Sequence, residues 1–157
     1  MGHIEATIDG LEETINRLKP ISENDGVELA DALGALGVRQ TQRRLQSEKT
    51  SPSGAAWKPN ARGGSLLQLT GALTTSIAHT AAPWAATWGS SLVYAAIHNF
   101  GGAIKAKNKK ALHFRVGKNW ATVAQVVMPQ RQFIGISEAN GQEMIRLAET
   151  YFTGKFG

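Results

Sequence analysis

The sequence predicts an α+β fold in which a mostly antiparallel sheet is packed by N-terminal, central and C-terminal helices, with long flexible loops. Apolar residues recur at helical spacing near both ends of the chain, whereas they alternate with polar residues in its middle. Helices at the ends with strands between them are typical of α+β rather than alternating α/β proteins. At 157 residues the chain fits a single domain, 1–157.

The N-terminal third predicts a short strand and two helices. Residues 4–8 alternate apolar and polar side chains, as in a half-buried strand, and residues 11–18 place apolar side chains on one helical face. A longer helix is predicted from the start signal at 24–26 to about Ser47. Gly34 and Gly37 weaken this prediction, since each glycine costs about 1 kcal/mol of helix stability relative to alanine.

A long loop and a strand pair are predicted next. Residues 48–65 are rich in Ser, Pro and Gly, and Trp57 stands alone among them. Loops of this length are usually functional or disordered until a partner binds. Residues 66–73 favour a short helix or turn, and residues 76–82 and 85–89 predict two strands with a proline between them.

The last third predicts a short helix, a lysine-rich loop, two strands and a final helix. Residues 92–100 have helical apolar spacing, and two glycines end that helix. A loop is predicted at 103–110, a half-buried strand at 112–116 and its return strand at 122–127. Ser137 is suited to cap the C-terminal helix.

Charge is divided unevenly along the chain. Residues 1–48 contain nine acids and five Lys/Arg, whereas residues 49–137 contain ten Lys/Arg and no acid. The basic groups of this middle segment can therefore be neutralised only by the chain ends, a neighbouring subunit or nucleic acid. Lys105, Lys107, Lys109 and Lys110 are its densest cluster. A solvated loop is the plain interpretation; contact with DNA in a lumen or with an acidic partner is the functional one.

Residues that could carry catalysis are largely missing. The chain has no cysteine, and its four histidines show no metal-ligand spacing. It contains neither a serine nucleophile elbow nor a P-loop, and its middle lacks a carboxylate acid or base. We therefore expect no enzyme, no catalytic or metal-binding residues and no cofactor, with a packing role for His98. No signal peptide or membrane-spanning segment is expected either.

Four segments, taken together, resemble the phage virion morphogenesis family, the tail-completion proteins of Mu-like and related tailed phages. Their sequences are GAAWKP at 54–59, LLQLTGALTTSI at 66–77, YAAIHNFGG at 94–102 and MPQRQFIGIS at 128–137. Each motif alone is weak, but four in the same order are specific. The departures are Gln132, where the family often has proline, and Ile134 in place of leucine.

The resemblance implies a structural virion protein that completes the tail or neck for head–tail joining. Such proteins are expected to form homo-oligomeric rings, hexameric by the resemblance, and these rings would contact the tail tube, the sheath or the connector. The protein would be assembled in the host cytoplasm and located in the virion, without membrane contact and with non-specific DNA contact left open. Trp57, Arg131 and Phe133 are the candidate subunit or partner interface, because aromatic and arginine anchors dominate interfaces.

Two other functions compete with this one. A basic nucleic-acid-binding protein of another family would also have a pI of about 9.7 and an acid-free middle. Salt-dependent DNA binding by the monomer would favour it, whereas ring assembly without such affinity would favour a virion protein. A small hydrolase is the third candidate, and no residue constellation supports it.

Overall fold

The computed structural model has helices at both ends of its described part and antiparallel strands between them, which confirms the α+β class. It describes residues 21–60, 63–107, 111–116 and 118–157. The strand predicted at 4–8 and the helix predicted at 11–18 lie outside these residues. The elements are, in order, α1 (Glu23–Arg43), a π-helical turn (Arg44–Glu48), α2 (Ala72–Thr75), β1 (Ile77–Ala82), β2 (Ala85–Ser90), α3 (Ala95–Phe100), β3 (Gly102–Lys105), β4 (Leu112–Val116), β5 (Asn119–Val123), β6 (Gln125–Met128) and α4 (Glu138–Phe156).

Helix α1 begins with a capping box. The Asp25 amide donates to the Ser22 hydroxyl at 3.2 Å, and the Ser22 amide donates to the Asp25 carboxylate at 2.6 Å. Two of the amides left free at a helix start are satisfied in this way. At its other end α1 continues into the π-helical turn, and Lys49 then leaves the helix with a φ of 54°. The helix therefore covers most of the predicted range.

The glycines of α1 allow the β1–β2 hairpin to lie close against the helix. A Cβ atom added at Gly34 would lie 2.5 Å from the His79 ring, and one at Gly37 would lie 2.7 Å from the Trp88 ring. The Trp88 ring is held in place because its Nε1 donates to the Thr41 hydroxyl at 3.2 Å. The two residues that weakened the helix prediction are therefore the contact points of the hairpin.

Gly37→Ala is expected to destabilise the protein, although alanine is the better helix former. The gain in helix propensity is about 1 kcal/mol, whereas forcing a methyl group into a filled contact usually costs about 1–3 kcal/mol. We expect a net loss of up to about 2 kcal/mol in the free energy of unfolding, measured by urea denaturation. Gly141→Ala in α4 is the control, because its Cβ would meet Ile136 at an ordinary 3.7 Å; this variant should gain stability. Equal effects at both sites would contradict the interpretation.

The strands pair as three separate two-stranded antiparallel sheets, β1–β2, β3–β6 and β4–β5. The predicted return strand 122–127 is wrong in one respect, because it divides between β5 and β6, which have different partners. The reason is an asymmetry: residues 106–111 separate β3 from β4, whereas Ala124 alone separates β5 from β6. The two sheets β3–β6 and β4–β5 thus follow one another within residues 102–128, whose described part we call the β arm, with a bulge where residues 106–107 leave β3.

The hydrophobic core lies beside the C-terminal end of α1. Its buried members come from the π-helical turn, the following loop, α2, β1, α3 and the segment before α4: Leu45, Trp57, Leu73, Ile77, Ala95 and Phe133. These residues are far apart in sequence, so the core joins segments of the chain between Leu45 and Phe133.

Helix α4 is fixed to the start of α1 by a polar cluster. The Lys155 ammonium forms ion pairs with the carboxylates of Asp25 and Glu28, and the Tyr151 hydroxyl donates to Glu28 at 2.9 Å. Hydrogen bonds from Lys155 and from Ser22 lower the pKa of Asp25 to about 2. The two terminal helices are therefore joined by charge as well as by packing.

Candidate interaction site

Residues 131–135, which we call the hub segment, connect β6 to α4 without helix or strand structure of their own. Backbone groups buried outside regular structure need partners from elsewhere in the chain. Here the partners come from the π-helical turn, from α3 and from the loop that contains Trp57. The hub segment is therefore the place where distant parts of the sequence meet.

Arg44, in the π-helical turn, provides hydrogen-bond donors for backbone carbonyls of the hub segment. Its guanidinium donates to the carbonyl oxygens of Phe133 and Gly135, both at 3.0 Å, and to the Asn140 side-chain oxygen at 2.6 Å. Arg44 is fully buried, and burial lowers its pKa while the nearby Glu48 carboxylate opposes that shift. Since arginine stays charged in proteins, this is a buried cation held by three oxygen acceptors.

Helix α3 contributes a second set of bonds. The side-chain oxygen of buried Asn99 accepts from the amides of Phe133 and Ile134, both at 3.0 Å. The carbonyl of His98 accepts from the amide of Arg131 at 2.8 Å. One side-chain oxygen thus satisfies two consecutive backbone donors.

The loop after the π-helical turn supplies the third set. The Arg131 guanidinium donates to the carbonyls of Lys58 and Pro59 at 2.9 and 3.1 Å, and the Trp57 indole donates to the carbonyl of Gln132 at 3.2 Å. Arg131 is buried, and burial lowers its pKa. The loop and the hub segment are therefore held together by reciprocal side chain-to-backbone bonds.

The three predicted interface residues are brought together, but inside the chain. Trp57, Arg131 and Phe133 are all buried in the described structure. Trp57, which stands alone in its Ser-, Pro- and Gly-rich segment, belongs to the core because the loop folds back through bonds such as that from the Trp57 amide to the Lys49 carbonyl at 3.0 Å. Contact of these residues with a second subunit stays a prediction.

A groove of about 480 Å³ lies beside the hub segment. The His98 ring forms part of its wall and meets Tyr94 edge-on, with ring centroids 5.9 Å apart. Burial, followed by the charge of Arg131, lowers the pKa of His98, so its imidazole is neutral at pH 7. Side chains on both walls include Leu67, Leu69, Leu73, Tyr94, His98 and Arg131. None of the described residues that line the groove is Asp or Glu, so this part of the chain offers the groove no carboxylate for acid–base chemistry.

The predicted lysine cluster is only partly within the described residues. Lys105 ends strand β3, which corrects the prediction of a loop starting at 103, and Lys107 lies in the bulge of the β arm. Both side chains are exposed. Lys109 and Lys110 lie outside the described residues. The structure therefore places two of the four lysines on the β arm, away from the hub segment.

The residues that hold the hub segment were not found from the sequence. Arg44 was assigned to the polar side of a helix, and neither Asn99 nor Asn140 was singled out. Asn99 lies within the segment 94–102 and Asn140 lies three residues after the predicted cap at Ser137, but neither position has a local signal of burial. Their roles follow from contacts with residues far away in the sequence.

Metal and membrane sites are not found in the described part of the chain. Residues 21–60, 63–107, 111–116 and 118–157 contain no group of three or more His, Asp or Glu side chains arranged to hold a metal ion. In the same residues no helix combines the length and the apolar character needed to cross a bilayer.

The contacts around the hub segment are typical of a structural protein, because side chains of the family-like segments bind backbone groups of other segments. The profile of the phage virion morphogenesis family matches residues 6–153. The chain therefore belongs to the phage virion morphogenesis family, and its role is a structural one in virion assembly. No curated protein and no solved structure is significantly similar to it.

Proposed function

We propose that this protein completes or terminates the phage tail and forms a ring at the tail–neck junction that prepares the tail for head–tail joining. The observation that carries this proposal is that all four family-like segments meet at the hub segment and its groove. Segments 54–59 and 94–102 bond to segment 128–137, and segment 66–77 supplies the groove wall and two core residues. The residues that resemble a tail-completion family thus build one rigid unit.

The chemistry of the groove supports a structural rather than an enzymatic role. His98 is neutral and its Nδ1 atom is buried without a hydrogen-bond partner in the described structure. The Arg131 guanidinium donates hydrogen bonds to the carbonyls of Lys58 and Pro59. Neither side chain is paired with a carboxylate that would orient it for proton transfer. The mainly apolar wall suits the docking of another protein segment.

The proposed ring is a homo-oligomer, hexameric by the resemblance to tail-completion proteins of Mu-like phages, and is located in the tail or neck of the virion. Its neighbours would be the tail tube, the sheath or the connector. Lys105 and Lys107, with Lys109 and Lys110, would face either DNA in the lumen or an acidic neighbour. The exposure of the first two supports such contacts.

A phage lacking this protein tests the proposal. We expect filled heads and separate tails, seen by electron microscopy of the lysate, with joining restored by the wild-type protein supplied in trans. The variant Arg39→Ala changes an exposed residue of α1 and should restore joining as well as the wild-type protein does. It therefore serves as the control for complementation by a substituted protein. Labelled protein should appear at the head-proximal end of the tail. Normal joined particles, or label on the capsid or the distal tail tip, would refute the proposal.

A further inference from the structure

Among the described residues, the β arm has no extensive packing partner from the rest of the chain. Its two sheets, β3–β6 and β4–β5, have two strands each, so every strand is paired along one edge alone. Neither sheet packs extensively on another described helix or strand. Two-stranded ribbons are marginally stable by themselves in water. The arm therefore needs a surface to cover it.

Apolar side chains are exposed along the β arm. Trp120 on β5 is 76% exposed and Val127 on β6 is 68% exposed, and Ile104 on β3 is also exposed. An exposed tryptophan is typical of a contact that a partner buries, since Trp is enriched among the residues that dominate interfaces. The partner must therefore offer apolar contact as well as charge.

All charged residues of the β arm are basic. The arm contains no acid, and its exposed basic residues include Lys105, Lys107 and Lys118, with Lys109 and Lys110 following in the sequence. A surface that covers the arm must therefore be acidic or must bring counterions with it.

The same chain presents an acidic surface elsewhere. All described acids lie on α1, the π-helical turn and α4, and the first half of α1, Glu23 to Asp31, has four acids and no Lys or Arg. The side chains of Glu28 and Asp31 are more than half exposed. Lys155 from α4 pairs with Asp25 and Glu28, and His79 bonds Asp31, so this face is acidic but not free of cations.

We propose that the β arm of one copy docks on the acidic face of α1, residues 23–31, in a second copy of the same chain. This inference rests on the proposed ring and names the surfaces that would build it. The arm and the acidic face are different surfaces, so the contact is head-to-tail, and repetition of such a contact closes into a ring or grows as a filament. Opposite charge supplies orientation, while Trp120 and Val127 supply the buried apolar area.

Duplex DNA is the rival occupant of the arm. Phosphates would neutralise Lys105 and Lys107, but they would leave Trp120 and Val127 in water. Single-stranded DNA could stack on Trp120, yet such binding usually needs a series of aromatic residues along a basic groove. The apolar residues of the arm therefore favour a protein surface.

Association of the full-length protein tests the inference. We expect analytical ultracentrifugation to show oligomers whose formation weakens with salt. The arm variant Trp120→Ser/Val127→Thr should need about tenfold more protein for half association. The control Val93→Thr changes a residue that is 97% exposed outside the arm, and it should associate as the wild type does. A photo-cross-linker at position 120 should capture a peptide containing residues 23–31 of the second copy.

A second variant covers the case in which the arm variant fails to fold. Glu23→Gln/Asp31→Asn removes charge from the acceptor face, and it should weaken association to a similar degree, with Glu138→Gln/Glu149→Gln on α4 as its matched control. Equal association by wild type, arm variant and acceptor variant would overturn the docking while the ring stands. Cross-links from position 120 to a peptide other than 23–31 would also overturn it.

The remaining outcomes separate this inference from the proposed function. A wild-type chain that stays monomeric in solution and also occurs as single copies on tails would remove both the ring and the docking. A monomer that binds duplex DNA, and loses that binding on Lys105→Gln/Lys107→Gln, would assign the arm to DNA. In that case the proposed position at the tail end could still be supported by microscopy.

Discussion

Arg44→Ala is expected to lower the free energy of unfolding by about 3–5 kcal/mol. The substitution leaves the carbonyls of Phe133 and Gly135 and the Asn140 amide oxygen without the donors that now satisfy them. Each buried acceptor left unpaired costs about 1–3 kcal/mol. The loss should be measured by urea denaturation at neutral pH, with circular dichroism as the signal.

Two companion variants show whether the geometry of Arg44 or its charge matters. Arg44→Lys keeps the charge but cannot reach the two hub carbonyls and Asn140 with a planar fork, so it should lose most of the same stability. Arg39→Ala changes an exposed arginine of the same helix and should stay within about 0.5 kcal/mol of the wild type. An Arg44→Ala protein as stable as Arg39→Ala would show that the buried network contributes little.

Phe133→Ala should have an effect of similar size, about 3–5 kcal/mol, because it empties the centre of the core. Phe133 is 1% exposed and belongs to the cluster around Leu45, Trp57 and Leu73. The cost combines the lost burial of the ring with the cavity that remains, since the surrounding side chains relax only in part. Thermal unfolding monitored by near-ultraviolet circular dichroism would report the loss of packing directly.

Phe100→Ala is the matched control for this prediction. It removes the same side chain from α3, at a position that is 71% exposed, and should change the stability little. Both variants should be compared at several protein concentrations. If the loss of stability in Phe133→Ala grows with dilution, the Phe133 side chain stabilises a contact between subunits. If the loss is constant, the side chain acts within one subunit.

Local patterns were sufficient for the elements that depend on neighbouring residues. The start signal predicted at 24–26 lies within one turn of the observed start of α1, although the cap itself is Ser22, and the β1–β2 hairpin follows from two strand-like segments around Pro83. The C-terminal helix follows from its cap at Ser137, whose hydroxyl accepts from the Asn140 amide at 3.2 Å. Each of these signals lies within a few residues, so a single sequence can display it.

Contacts between distant residues could not be predicted in the same way. Trp57 donates to a carbonyl 75 residues away, and Arg44 donates to one 89 residues away. A tryptophan in a Gly/Pro/Ser-rich segment has no local signal of burial, and an arginine at a helix end is usually exposed. The family-like segments predicted that Trp57 and Arg131 matter, but not that they face inward.

The break between β5 and β6 has a similar origin. Residues 122–127 are predicted as one strand, since nothing at Ala124 interrupts the pattern. The division arises because the opposite side of the ribbon carries the extra residues 106–111, so the two halves pair with different strands. Register between strands depends on both sides of a pair, and one strand alone does not determine it.

The late position of the hub segment in the chain sets the order of events during synthesis. Arg44, Trp57 and Asn99 leave the ribosome well before the carbonyls and amides that they bond in residues 131–135. Until those residues emerge, the Arg44 guanidinium lacks the carbonyl acceptors that it binds in the folded chain, and the core lacks Phe133. A nascent chain cut before position 131 should therefore remain loosely folded and protease-sensitive, because its closing contacts are separated by long stretches of sequence. Only chains that extend beyond the hub segment would then be folded for assembly.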